Sequence, residues 1–313
     1  MGLYSIHIAV FLFGFSGLFG KFLLISPILI VFGRTFFAAA ALLPLIFYIT
    51  ATGRTLYISF CPQQSMKLRF SYPEFHIKTP FKKENPFKKK VLLLYMLQGA
   101  LLAVHWCSFF YSIQISTVAV GLLTFSTFPL FVTFMEPIFF KEKLIFSDIA
   151  AAFAVFAGLV LVLPGFDFSR APVKGAFWGI FSGFTFAMLA IANRKNVEKE
   201  SPLVVAFSQN FFAATALLPA IIYLSPDMPG RTDILLLAGL GIICTALAHT
   251  LFIKSLIHIK ARTAGIITAL EPLYGIILAF FILNETPGLK TVAGGILIIT
   301  ATTIAMSLHK KNS

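Results

Sequence analysis

The sequence predicts an all-α polytopic membrane protein with ten transmembrane helices arranged as two inverted-topology five-helix repeats. Three observations carry this. Of 313 residues, 58% are hydrophobic and only 12% are charged, whereas a soluble chain of this length needs charge on every outer face. Long runs without Asp, Glu, Lys or Arg recur, among them 3–20, 149–166, 175–193 and 201–226, and about 20 apolar residues suffice to cross a bilayer. Finally, one membrane segment has an internal copy. SPILIVFGRTFFAAAALLPLIFY at 26–48 aligns without gaps with SPLVVAFSQNFFAATALLPAIIY at 201–223, identical at 13 of 23 positions.

In chain order the spans read 3–22, 27–50, 91–111, 116–138, 146–164, 174–193, 202–224, 234–255, 263–283 and 290–308. The first starts at Leu3 without a basic head or a small-residue cleavage site, so it reads as a retained span. The second carries Arg34 about two turns inside it and ends beyond Pro44. Residues 91–135 lack any Asp, Glu, Lys or Arg, which is long enough for the third and fourth spans joined by a tight turn. The seventh repeats the second. The ninth repeats the end of the fourth: FPLFVTFMEPIFFKEKL at 128–144 lies over EPLYGIILAFFILNETP at 271–287, with Pro129 over Pro272 and Glu142 over Glu285.

Each half, 1–165 and 166–313, therefore holds five spans. An odd number makes the second copy enter the membrane from the opposite side, which places a binding site near the midplane between the halves. With the N-terminus cytoplasmic, nineteen of the 25 Lys and Arg fall in loops on that side and five on the other, with Arg34 inside a span. Positive charge stays inside, so both termini read as cytoplasmic. The net charge of +13 thus follows from membrane loops and gives no ground for a nucleic-acid partner. Nine of those charges sit in the aromatic-rich loop 51–90, either a docking segment for anionic lipid or a regulatory partner, or simply a topology signal. Cys61, Cys107 and Cys244 offer neither metal spacing nor a disulfide framework. No cofactor is implied.

These residues carry a resemblance. LEPLYGIILAFFILNE at 270–285 resembles the signature of the second EamA repeat of the drug/metabolite transporter superfamily, and FPLFVTFMEPIFFKEKL resembles its first-repeat counterpart. The resemblance implies a ten-helix carrier with a central cavity, in the cytoplasmic membrane of a bacterial source. Members move amino acids, nucleotide-like metabolites and other small organic molecules, often outward. The family often has Gly before the terminal Glu. Here Lys141 and Asn284 stand there, so Glu142 and Glu285 read as caps or pairs at the membrane surface.

The polar residues within spans are the candidate site. Arg34 has Ala38 and Ala41 on its helical face, the small face that packs against other helices. It is either a cavity or gating cation, or a side chain that snorkels to the interface. Its repeat counterpart is Gln209, beside Asn210. Glu271 precedes Pro272, which loosens the helix. It is either a protonatable site or partner of a substrate amine, or a structural ion pair or hydrogen bond at a kink. Glu136, near Lys141, reads as a surface acid. His105 and His249 match at an offset of 144 and suit substrate binding or proton relay, with hydrogen-bonded packing as the bland alternative. Trp106 and Tyr111 form either an aromatic wall or packing and interface anchors. Gly14, Gly17 and Gly20 describe a close-packing face on the first span.

The set of expected substrate contacts is therefore Arg34, His105, Trp106, Gln209, Asn210, His249 and Glu271, with Glu271 and His249 the candidates for proton coupling. The sequence reads as a secondary transporter of a small polar organic metabolite, first an amino acid or derivative, and otherwise a nucleoside-containing metabolite such as S-adenosylmethionine. A lipid flippase or membrane sensor is the competing class. An enzyme is disfavoured: the spans contain no HExxH, GxSxG or Asp pair. The expected partners are a small-molecule substrate, membrane lipid and coupling protons, in a monomer or homodimer.

Overall fold

A computed structural model describes residues 2–52, 89–140, 146–162 and 169–311. The reading of the basic loop falls almost wholly outside them, as do Lys141 and Glu142. Every regular element among the described residues is helical: α1 (Gly2–Phe22), α2 (Pro27–Thr52), α3 (Lys89–Ile115), α4 (Val118–Phe125), α5 (Phe128–Phe140), α6 (Phe146–Val162), α7 (Ala171–Asn196), α8 (Pro202–Leu224), α9 (Arg231–Gly241), a π-helical turn (Ile242–Leu247), α10 (Ala248–Ser255), α11 (Ala261–Thr268), α12 (Glu271–Leu283) and α13 (Leu289–Lys311). Since α4 runs on into α5, α9 through the π-turn into α10, and α11 into α12, the elements make ten rods. Their outer surface is apolar, with Leu24, Phe153, Ile222 and Phe281 at 73–93% exposure. Surface of this kind is stable only against lipid.

Local chemistry explains the boundaries. In both copies of the repeated segment a Ser-Pro pair opens the helix. Ser201 Oγ accepts from the Val204 amide at 3.3 Å, and Pro202 occupies the first helical position, where its missing N–H costs nothing. Asn284 stops α12 in the left-handed region at φ 54°, a conformation that short polar side chains tolerate.

The fourth and ninth rods are each broken two to three residues before the aligned prolines. Pro129 and Pro272 cannot donate to the carbonyls four residues back, so the chain tightens there into i→i+3 bonds. Thr127 N donates to Thr124 O at 3.3 Å, and Leu270 N to Ile267 O at 3.1 Å. Glu285 accepts from the Val118 amide at 3.0 Å and so caps the start of α4.

The packing follows the repeat. If each span is exchanged for its counterpart in the other half, the major contacts map onto one another. α1 packs on α10 and α12, and α7 packs on α3 and on α4 with α5. α2 packs on α9, and α8 on α3. Two pairs map onto themselves: α2 with α8, and α6 with α13.

Small residues permit these approaches. A Cβ on Gly14 would lie 3.0 Å from the Glu271 carbonyl oxygen and 3.1 Å from the Gly275 amide, at the start of α12. On Gly183 it would lie 2.9 Å from the Phe125 carbonyl, at the break between α4 and α5. Each half thus lays a glycine of its first rod on the broken rod of the other. On the α6–α13 seam Gly158 and Gly294 face each other: a Cβ on either would meet the other's carbonyl oxygen, at 2.9 and 2.5 Å.

Candidate functional site

Helices from both halves enclose a cavity lined by Phe13, Ser16, Arg34, His105, Trp106, Phe109, Phe125, Phe186, His249 and Glu271. Its free space is about 20 Å³, room for about one water, so the lining must move apart to admit a metabolite. Five of the seven expected contacts line it.

Arg34 is 1% exposed and does not snorkel. Its Nε donates to Thr245 Oγ1 at 2.9 Å, and its guanidinium carbon lies 3.9 Å above the Trp106 ring. The π-turn makes this possible. With an extra residue in the turn, Thr245 Oγ1 reaches the carbonyl five residues back, Leu240 O, at 2.8 Å and still accepts from Arg34. Gly241 lets α9 close on α2 at this point, since a Cβ there would lie 2.8 Å from the Arg34 carbonyl oxygen. The cation–π contact, worth about 2 kcal/mol when desolvated, offsets part of the burial cost. Arg34 Nη1 nevertheless has no hydrogen-bond partner.

Glu271 is 3% exposed and is the first residue of α12, at the positive end of a half-helix. Its Oε2 has no hydrogen-bond partner. Among the described residues no ion pair within 4.0 Å joins it to Arg34, although the two line one cavity. The structural-pair reading of Glu271 therefore finds no cation in place.

His105 and His249 both neighbour Trp106, with ring centroids 6.1 and 5.7 Å from it. His105 stacks on Phe186 at 4.8 Å, and its Nδ1 is 3.0 Å from the Ser182 carbonyl oxygen. His249 Nε2 is 3.0 Å from Gln209 Oε1, while His249 Nδ1 has no partner.

Gln209 and Asn210 are fully buried but do not line the cavity. Gln209 stands behind His249, and Asn210 Nδ2 donates to the carbonyl of Ala206 in its own helix at 2.8 Å. Tyr111, 41% exposed, packs edge-on against Trp178 outside the cavity.

Sequence reasoning missed the carboxamide cluster behind the site. Gln209 Nε2 donates to Gln98 Oε1 at 2.9 Å and to Asn193 Oδ1 at 2.6 Å, and Asn196 Nδ2 donates to Gln98 Oε1 at 2.7 Å. The available signal was three carboxamides at or near the ends of otherwise apolar runs. The expectation for Glu136 is corrected. It is fully buried and pairs with Arg194 at 2.7 Å, because α5 packs on α7 and Arg194 stacks 4.0 Å from the Phe140 ring.

Residues 75–163 and 173–307 match the model of the EamA-like transporter family. The S-adenosylmethionine uptake transporter of Rickettsia felis is 26% identical over 284 residues, covering 90% of this chain and 83% of that one. The protein of the same name from Rickettsia prowazekii is 28% identical, covering 73% and 76%. An uncharacterized transporter of Archaeoglobus fulgidus is 28% identical over 63% of this chain and 70% of that one. A solved crystal structure superposes over 100% of this chain and 98% of its own, with a TM-score of 0.67 at 16% identity. That likeness speaks to the fold.

Proposed function

The chain belongs to the EamA-like transporter family, and from that premise we propose that it is an alternating-access carrier for the uptake of S-adenosylmethionine or a close nucleoside-bearing relative. The observation that carries this is a set of three unpartnered polar atoms on residues lining one aromatic cavity: Arg34 Nη1, Glu271 Oε2 and His249 Nδ1. Each costs about 1–3 kcal/mol while unsatisfied, and a substrate that satisfies all three recovers that cost on binding.

An α-carboxylate answers the guanidinium, and an ammonium or sulfonium answers the carboxylate. A flat base can stack on the rings of His105, Trp106, Phe109, Phe125 and Phe186 once the lining parts. A plain amino acid answers Arg34 and Glu271 but leaves His249 and most of the aromatic lining idle. The names of the rickettsial relatives favour the same choice.

Orientation follows the loop charges: both termini are cytoplasmic, in the cytoplasmic membrane of a bacterial cell. Proton coupling runs through Glu271. On that reading Glu271→Gln abolishes driven uptake and leaves exchange intact, whereas unchanged pH dependence in the variant rules it out.

The test is counterflow in proteoliposomes. Vesicles loaded with unlabelled S-adenosylmethionine accumulate the labelled compound, and excess methionine does not compete. Movement of methionine without the adenosyl compound would replace this reading by the amino-acid one. Movement of neither would refute both.

A further inference from the structure

Two histidines whose proton positions are fixed from behind give the site a chemical polarity. A neutral imidazole carries one N–H and one acceptor nitrogen, and the partner of either nitrogen decides which is which. His105 Nδ1 faces the Ser182 carbonyl, which can only accept, so Nδ1 carries the hydrogen and Nε2 is left as the acceptor. Ser182 Oγ lies 2.9 Å from the same Nδ1 and spends its one hydrogen on the His105 carbonyl at 3.0 Å, so it too stands as an acceptor toward Nδ1.

At His249 the same result comes through a relay. Both hydrogens of the Gln209 amide are spent, one on Gln98 Oε1 and one on Asn193 Oδ1. Its Oε1 is therefore the atom turned to His249, so Nε2 donates and the unpartnered Nδ1 is the acceptor. The two halves reach the same outcome with different atoms and different supports: a carbonyl for His105, a carboxamide cluster for His249. Both rings line the one cavity.

We propose that Gln98, Asn193 and Gln209 are positioning residues that hold His249, as Ser182 holds His105, so that the pair of uncharged acceptors recognises the exocyclic amino group of the purine in a bound nucleoside sulfonium. This rests on the substrate class proposed above. An exocyclic amine offers two N–H groups and no charge. A buried ammonium, by contrast, needs a carboxylate, which Glu271 provides. A deaminated base places a carbonyl oxygen against a nitrogen lone pair, and a site built for N–H groups rejects that mismatch strongly.

The experiment has two arms on the full chain in detergent. The first measures binding of S-adenosylmethionine and of its deaminated counterpart S-inosylmethionine. Wild type prefers the amino compound at least about tenfold. Gln209→Met, which frees His249 to turn over its tautomer, brings the preference below about threefold. No preference in wild type, or an unchanged one in Gln209→Met, overturns the proposal.

The second arm is ¹⁵N spectroscopy of labelled histidine and needs no substrate. His105 shows an unprotonated Nε2 and His249 an unprotonated Nδ1, and Gln209→Met alters only His249. A protonated Nδ1 at His249, or an imidazolium at either ring, overturns the acceptor pair even where the variants fold poorly. If neither sulfonium binds, the substrate reading and the base contact both fall, while the nitrogen resonances still decide the proton positions.

Discussion

Arg34→Gln separates recognition of the substrate from support of the cavity, because it gives the second span the residue that the seventh carries at the matching position. The guanidinium has two kinds of contact. Nε on Thr245 and the face on Trp106 hold the cavity together, whereas Nη1 is free for ligand. A hydrogen bond to a charged group contributes about 1.5–3 kcal/mol, which at about 1.4 kcal/mol per decade is a roughly 10–150-fold weaker dissociation constant. The assay is titration calorimetry of purified protein with S-adenosylmethionine and with its decarboxylated form, which lacks the group Arg34 is proposed to bind. The variant loses about 10–150-fold more affinity for the carboxylate-bearing compound than for the decarboxylated one, whose own loss reports the missing Thr245 and Trp106 contacts. Wild type distinguishes the two compounds by the same factor that the variant loses. Equal weakening toward both would mean that Arg34 supports the cavity and does not touch the carboxylate. No weakening toward either would remove it from the site.

The glycine contacts predict a contrast along α1. Gly14→Ala meets backbone atoms at 3.0–3.1 Å and abolishes transport with reduced folded yield, whereas Gly17→Ala meets only the Leu122 side chain at 3.4–3.6 Å and is close to neutral in the same uptake and yield measurements. The Glu136–Arg194 pair is deeply placed, with side-chain exposures of 0% and 18%. Arg194→Met leaves the carboxylate in the interior and lowers stability by about 3–5 kcal/mol, read as a fall in melting temperature larger than that of Glu136→Gln. A smaller fall in Arg194→Met than in Glu136→Gln would refute that ordering. Glu285→Ala removes the side-chain cap of α4 at a cost of about 1 kcal/mol, and Glu285→Gln, which still presents an oxygen to Val118, restores most of the lost melting temperature.

Much of the architecture is readable because the bilayer imposes it. Apolar runs of fixed length, loop charges and the repeated Ser-Pro segment lie along the chain itself. The breaks are half-readable: Pro129 and Pro272 announce weak points, yet the broken residues, Ser126 and Thr127 in the fourth span and Ala269 and Leu270 in the ninth, include no glycine or charge that marks where the helix stops.

Arg34, Glu271, Trp106 and the two histidines stand out as costly residues for hydrocarbon, and all five line the cavity. Glu136 misleads because Lys141 is its neighbour in sequence, while its partner Arg194 is 58 residues away on α7. The Gln98–Asn193–Asn196 cluster stays hidden because no single member is anomalous; what matters is that three helices bring them onto Gln209. Repeat symmetry places Gln209 opposite Arg34, but a shorter side chain bonded to that cluster stops behind His249.

The two helix pairs that map onto themselves, α2 with α8 and α6 with α13, carry a thermodynamic corollary. Suppose a carrier changes which side it opens by letting its halves trade conformations. A contact between a span and its own image is then the same contact before and after, and its energy drops out of the equilibrium between the two states. The abutting glycines Gly158 and Gly294 lie on such a fulcrum. Damage there weakens both states alike and changes how long the protein survives. The seams of α1 on α10 and of α3 on α7 are traded for each other, so their sequence differences set the resting bias. The cluster around Gln98 lies on the α3–α7 and α3–α8 seams. In such a carrier it would act as a counterweight as well as a support, tilting the empty protein toward one side of the membrane.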